Sequence, residues 1–388
     1  MKISRIETIP VRVPIKPELA IRSGRGGAHL MSPFLIVKVY TDDGIVGLGE
    51  ASCTPRWSGE DQVSAAHFIN AYFAPLLVGE TIDEVERLSA KFSSAVAGNY
   101  FTKAAIEMAL WDIVGKSQGR PVWEVAGSTE RGAGSKTSGL PLRISPGVPV
   151  KWSVSGVVPA KAAEIAAWAV DQGFTAMKVK VGIDPQSDLE RTRAVREAVG
   201  AQVKLGVDAN GGWPTPQIAI ETIRRLCDEC EIYFAEQPVA AGDQNALAEV
   251  RSNVSVPIIA DESIWTLEDA KMLARAEAAD VFSIYIGKAG GIGPARRIAE
   301  FAQSVGIKCT IGSNLELGIG SAAMIHLALS APGFDFDTCP CDIIGPLFYE
   351  DDVLNDPLPI SNGVARLPDR PGLGVELNDE KVEKCRVR

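Results

Sequence analysis

Six short apolar runs between residues 177 and 312 each lead to a charged side chain, and those side chains recur at nearly constant intervals. The runs are 177–181, 204–208, 232–236, 257–261, 281–286 and 307–312. The residues at or just past their ends are Lys180, Asp208, Glu236, Asp261, Lys288 and Glu316, separated by 28, 28, 25, 27 and 28 residues. Amphipathic stretches fill the gaps. One starts near Pro185, one follows Thr215-Pro216, and Thr266 with Asp269 can cap a third. Such an interval accommodates one strand, one helix and their loops. Repeated strand–helix units give a parallel sheet with helical crossovers, and six or more in succession favour a closed (β/α) barrel. An open doubly wound sheet is the competing topology. It usually carries a glycine-rich phosphate loop after its first strand, and no G-x-G-x-x-G follows a strand here. Lys288 is followed by Ala289, so it does not belong to a P-loop either.

The first third of the chain has a different texture. Residues 3–13 alternate polar and apolar, 34–40 form an apolar run, and Asp42-Asp43-Gly44 marks a hairpin before 45–49. Segments 62–76, 82–97 and 103–118 then carry helical spacing, with Gly119 and Pro121 as stop signals. Strands followed by helices make a small α+β unit. A chain of 388 residues exceeds one ordinary core. The expected division is an α+β capping domain at 1–130, a barrel at 131–340, and a proline-rich tail at 341–388 that packs back on the cap. The segment 132–150, rich in Gly, Ser and Pro, separates the two textures.

The formal charge of −10 argues against a sequence-independent nucleic-acid binder. There is no run of 18 apolar residues to cross a membrane, and the N-terminus lacks the apolar core of a signal peptide. Seven scattered cysteines and three histidines far from the Cys227/Cys230 and Cys339/Cys341 pairs suggest incidental thiols in a reduced, cytoplasmic protein.

Charged residues spaced one unit apart converge on the C-terminal mouth of a barrel, where such enzymes place their chemistry. Asp208, Glu236 and Asp261 come from three successive units. Three carboxylates brought together need a cation. A set of hard oxygen donors without His or Cys indicates Mg²⁺, with Mn²⁺ as a substitute. Taken singly, each carboxylate could be a helix cap or a rim salt bridge. Lys178 and Lys180 share one strand face and interrupt an apolar run, and Lys288 lies one unit past the acids, so these lysines are candidate acid/base groups.

Lys178-x-Lys180, Asp208 in Val-Asp-Ala-Asn, Glu236 in Ala-Glu-Gln-Pro, Asp261 in Ala-Asp-Glu-Ser and Lys288 in Ile-Gly-Lys-Ala-Gly-Gly together resemble the enolase superfamily. The closer resemblance is to its muconate-lactonizing-enzyme subgroup, and it covers nearly the whole chain. Mandelate-racemase-type members place a His after the seventh strand. This chain has Ser313-Asn314-Leu315-Glu316 there, and His326 lies in an apolar stretch as a packed residue. A Lys180/Lys288 pair is therefore expected.

The resemblance implies a barrel of modified TIM type under an α+β cap, and abstraction or donation of a proton α to a carboxylate. The metal would hold the substrate carboxylate and stabilise an enediolate. Lys180 and Lys288 would face opposite sides of that intermediate. Lys178 would favour the neutral form of Lys180 and contact the carboxylate. Glu316 would be a hydrogen-bonding or relay group, and Asn210 and Glu262 would support the ligands. The cap would supply specificity through loops 21–30 and 52–59, with Arg22, Ser23, Arg25, Thr54 and Trp57 as lid candidates. The expected substrate is a small carboxylate and the expected assembly a homo-oligomer. A muconate-type cycloisomerase is the leading expectation. The alternatives are a racemase or epimerase of an N-acyl amino acid or dipeptide, and a dehydratase or synthase. The complete acid and base set argues against a barrel kept only for binding.

Overall fold

The computed structural model describes residues 1–20, 22, 30–127 and 147–387. Strands β1 (Ile3–Pro14), β2 (Met31–Thr41) and β3 (Val46–Ser52) form an antiparallel meander. The β2–β3 turn falls on the Asp-Asp-Gly signal, with Gly44 at φ 90° and the Thr41 N–H donating to Ile45 O. Of the three expected helices, the first is broken. Gln62–Phe68 passes through a π turn at Ile69–Phe73 into Ala74–Leu77. Pro75 cannot donate to the helical ladder, which accounts for the break ahead of it. The others run Val85–Ser93 and Tyr100–Ser117. The last of these is buried on nearly every side, because it is clamped between the meander and the barrel. It lies so close to β3 that a Cβ on Gly47 or Gly49 would collide with the Ala109 or Ala105 carbonyl.

Val148–Pro149 (β4) precedes seven parallel strands in chain order: β5 (Trp152–Val154), β6 (Ala176–Lys180), β7 (Lys204–Asp208), β8 (Ala235–Glu236), β9 (Ile258–Ala260), β10 (Val281–Ile284) and β11 (Lys308–Ile311). Several crossover helices start where the sequence supplies a side-chain cap. Asp184 accepts from Ser187 N, Thr215 from Ile218 N, and Thr266 with Asp269 makes a full capping box. The sheet closes through residues 341–342. Cys341 N donates to Pro149 O, Lys151 N to Cys341 O, and Asp342 N to Ile311 O. The seam of the barrel thus runs just past the boundary expected at 340.

After the seam, β12 (Ile360–Ser361) and β13 (Val364–Ala365) form a hairpin that pairs with β4. The chain then returns to the meander. Arg386 bridges Val11 and Val387 N donates to Pro10 O, while Tyr349, ahead of the hairpin, already bridges Ile15. Two carboxylates of the N-terminal unit pin it to barrel helices. Glu50 accepts from Leu317 N and Gly320 N, and Glu107 from Ile292 N and Gly293 N. Unsatisfied helix N-terminal N–H groups are natural partners for such acids. All seven cysteines are free thiols. Among the described residues no helix is long and apolar enough to cross a membrane.

Candidate active site

The strand register places the first acid and base residues side by side. Lys180 is level with Asp208 across β6–β7, and Asp208 with Glu236 across β7–β8. Asp261 lies directly after β9, and Lys288 sits on a single helical turn, Ile286–Ala289, after β10. The fifth apolar run is therefore not strand to its end: β10 stops at Ile284 and the chain turns to present Lys288.

Three lysines dominate the mouth, Lys178 and Lys288 buried and Lys180 partly exposed. Lys178 Nζ donates to Glu236 Oε1 at 2.9 Å and Oε2 at 3.1 Å, and lies 3.3 Å from Asp208 Oδ2. It also donates to Asp342 Oδ2 at 2.7 Å. Lys180 Nζ donates to Asp208 Oδ2 at 2.6 Å and to Asn210 Oδ1 at 3.0 Å. Lys288 Nζ donates to Asp261 O at 2.7 Å, to Ser283 O at 3.0 Å and to the Asp261 carboxylate, and lies 4.0 Å from the Tyr285 ring centroid. Asn210 holds Glu262 Oε1 at 3.0 Å. Glu316 accepts from Ser313 Oγ at 2.7 Å and from Asn314 N.

The electrostatics follow from this crowding. Burial lowers the Lys178 pKa, but the carboxylates of Asp342, Glu236, Asp208 and Asp261 outweigh it, so the ammonium is held well above its ordinary range. Burial and the neighbouring acids Asp208, Asp261 and Asp342 push Glu236 far up, against the pull of Lys178. Burial also acts to raise Asp208, but Lys180 and Lys178 take it down to about 2. Burial raises Glu316.

The donor set fits a hard divalent cation. Asp208, Glu236 and Asp261 are buried at adjacent strand ends, offer only oxygen, and include a carboxyl whose charge its neighbours oppose. In this structure each of the three is turned to a lysine, and among the described residues no three His, Cys, Asp or Glu side chains converge as a ligand cluster.

Of the lid candidates, Trp57 stacks between Tyr285 and Trp265 at centroid distances of 5.3 and 5.4 Å, beside Lys288. Asn314 Nδ2 donates to Thr54 Oγ1 at 2.9 Å and to Ser52 Oγ at 3.0 Å, tying that loop to the end of the seventh unit. Arg22 joins the end of the first barrel strand through backbone bonds to Ser155 Oγ and Gly156 N. Ser23 and Arg25 lie outside the described residues. His326 is buried in the helix Gly318–Ser330, where Nδ1 accepts from Trp123 N, so it packs away from the mouth.

Sequence reading missed Asp342, Lys151 and Tyr285. Tyr285 OH donates to Asp261 Oδ2 at 2.8 Å. Lys151, wholly buried, lies 3.2 Å from Asp342 Oδ1. The signal for two of them was the interval itself, since Asp342 falls 26 residues after Glu316 and Lys151 falls 27 before Lys178.

A closed barrel with lysines and carboxylates at its C-terminal mouth, joined to an α+β cap, defines a class of barrel enzymes equipped for acid–base chemistry at that mouth. The comparisons agree. Residues 161–382 match the family model for the enolase C-terminal domain-like fold, and residues 6–127 that for the mandelate racemase/muconate lactonizing enzyme N-terminal domain. The chain is 32% identical to the N-succinyl-L-Arg/Lys racemase of Bacillus cereus, over 100% of this chain and 98% of that protein. It is 33% identical to muconate cycloisomerase 1 of Rhodococcus opacus, over 99% and 98%. It superposes with a TM-score of 0.87 on a dipeptide epimerase from Enterococcus faecalis crystallised with Mg and L-Leu-L-Tyr, at 28% identity over 97% and 100% of the two chains. The chain belongs to the mandelate racemase/muconate lactonizing enzyme family of the enolase superfamily. It is an isomerase of that superfamily, in which Mg dependence is typical.

Proposed function

We propose that the protein moves a proton at the carbon next to a substrate carboxylate, with Lys180 and Lys288 as the acid/base pair. The observation that carries this reading is the pair itself: two lysines from the second and sixth barrel units, each hydrogen-bonded to a different one of the acids at the mouth. A proton α to a carboxylate is weakly acidic, because its loss makes a dianion. A divalent cation bound by Asp208, Glu236 and Asp261 would supply the positive charge that offsets it. The chain's own residues do the rest. Lys180, oriented by Asp208 and Asn210, serves one face of the reacting carbon. Lys288, fixed by the Asp261 and Ser283 carbonyls, serves the other. Lys178 is the fixed cation beside them. Trp57 and Thr54 shut the mouth against water.

Within this chemistry the leading reading is cycloisomerisation of a muconate-like dicarboxylate, in which a carboxylate adds to the conjugated chain and one lysine then protonates the neighbouring carbon. Racemisation of an N-acyl amino acid is the second reading, and the pairing of two lysines favours it, since inversion needs a base on each face. Turnover in D₂O with Mg²⁺ separates them. Lactonisation leaves one deuterium in a ring-closed product, whereas racemisation leaves deuterium at the α-carbon of both enantiomers. If no acid in a panel spanning muconates, N-succinyl amino acids and dipeptides acquires deuterium, the reading is wrong.

A further inference from the structure

Lys151 is an unusual residue for its place. It immediately precedes the first barrel strand, has no solvent exposure, and points into the seam where residues 341–342 close the sheet. Its Nζ donates to Pro340 O at 2.5 Å, lies 3.9 Å from Cys339 Sγ and 5.8 Å from the centre of the Phe234 ring, and among the described residues pairs with one carboxylate, Asp342. A buried ion pair seldom outperforms a well-packed apolar side chain in stability. An ammonium kept there is better explained by what its charge arranges.

Asp342 shows what that is. Its two oxygens serve two lysines, with Oδ1 3.2 Å from Lys151 and Oδ2 2.7 Å from Lys178. Lys178 in turn donates to both oxygens of Glu236 and lies 3.3 Å from Asp208 Oδ2. Remove Lys151, and the whole charge of Asp342 falls on Lys178, drawing it from Glu236 and Asp208 toward the seam.

We propose that Lys151 is a positioning residue: through Asp342 it sets where the Lys178 ammonium sits among the acids at the barrel mouth. This rests on the function proposed above only for its kinetic readout. Lys151 and Lys178 hold Asp342 ionised in spite of its burial, in keeping with a carboxylate divided between two cations.

The test is a double-mutant cycle with Lys151→Met and Asp342→Asn, assayed with muconate or N-succinyl-lysine, whichever the wild type turns over. Lys151→Met is expected to lower kcat about tenfold to a hundredfold with KM within about threefold. The double variant is expected to match Asp342→Asn, because Lys151 acts only through Asp342. A folded Lys151→Met protein with wild-type kcat overturns the proposal. If Lys151→Met does not fold, the charge-balanced double variant decides, and a kcat differing more than about threefold from that of Asp342→Asn overturns it. A readout independent of turnover uses lysine labelled with ¹⁵N at Nζ. The Lys178 ammonium signal, slow to exchange in the wild type, is expected to be lost to exchange in Lys151→Met as it is in Asp342→Asn. Its persistence in Lys151→Met overturns the proposal even if neither acid is a substrate.

Discussion

Lys180 Nζ donates to Asp208 Oδ2 at 2.6 Å across two adjacent strands whose register makes the residues direct neighbours. One carboxylate thus serves two tasks: it orients a base and belongs to the proposed oxygen donor set. Asp208→Asn is expected to weaken Mg²⁺ binding at least tenfold in titration calorimetry without substrate, and to abolish turnover. Unchanged Mg²⁺ affinity would remove Asp208 from the donor set. Chelator in excess is expected to stop the wild-type reaction and added Mg²⁺ to restore it.

The second hold on Lys180 is Asn210, whose backbone sits in the left-handed region at φ 47°. Glycine tolerates that conformation, so Asn210→Gly isolates the side chain from the backbone. It is expected to lower kcat about tenfold with little change in the melting temperature. A loss seen only in stability would mean that the side chain serves the fold.

Trp57 engages the barrel mouth from the cap, stacked on both Tyr285 and Trp265. Aromatic pairs of this kind contribute about 0.5–1.5 kcal/mol each. Trp57→Ala is expected to reduce kcat/KM on the order of tenfold or more through a looser closed state. Steady-state kinetics with a slowly and a rapidly reacting acid checks it.

Burial takes the His326 imidazole down to about 3, against an ordinary 6.5. The folded state therefore binds fewer protons than the unfolded chain between those values. Stability is full above about pH 6.5 and declines as pH falls toward 3. At pH 5 the contribution lost is about 2 kcal/mol. Asn can present an oxygen to Trp123 N without titrating, so urea unfolding of His326→Asn is expected to show a smaller loss between pH 7 and 5 than the wild type. Parallel losses would place the proton elsewhere.

The barrel and its mouth were legible because they rest on one-dimensional information. A strand–helix unit has a nearly fixed length, so residues at strand ends repeat at that length, and Lys180, Asp208, Glu236, Asp261, Lys288 and Glu316 did. The same interval reaches Lys151 and Asp342 but was hidden there. Cys339-Pro340-Cys341 does not look like a strand, and the seam is held by isolated backbone bonds instead of a regular ladder. The partners of the lysines were not legible, since which acid each ammonium meets depends on side-chain reach between strands. The lid was readable only by resemblance. Thr54 and Trp57 owe their places to Asn314, Trp265 and Tyr285, all of which lie more than 200 residues away in the chain.

The central claim, that Lys180 and Lys288 transfer the α-proton, is tested most directly by deuterium uptake from D₂O with Mg²⁺ present, comparing the wild type with Lys180→Met and Lys288→Met. The account predicts deuterium at the carbon next to the carboxylate with the wild type. It predicts a fall of about a hundredfold or more in turnover with each variant, and for a racemase each variant would retain exchange with only one enantiomer. Wild-type deuterium uptake in both lysine variants would contradict it.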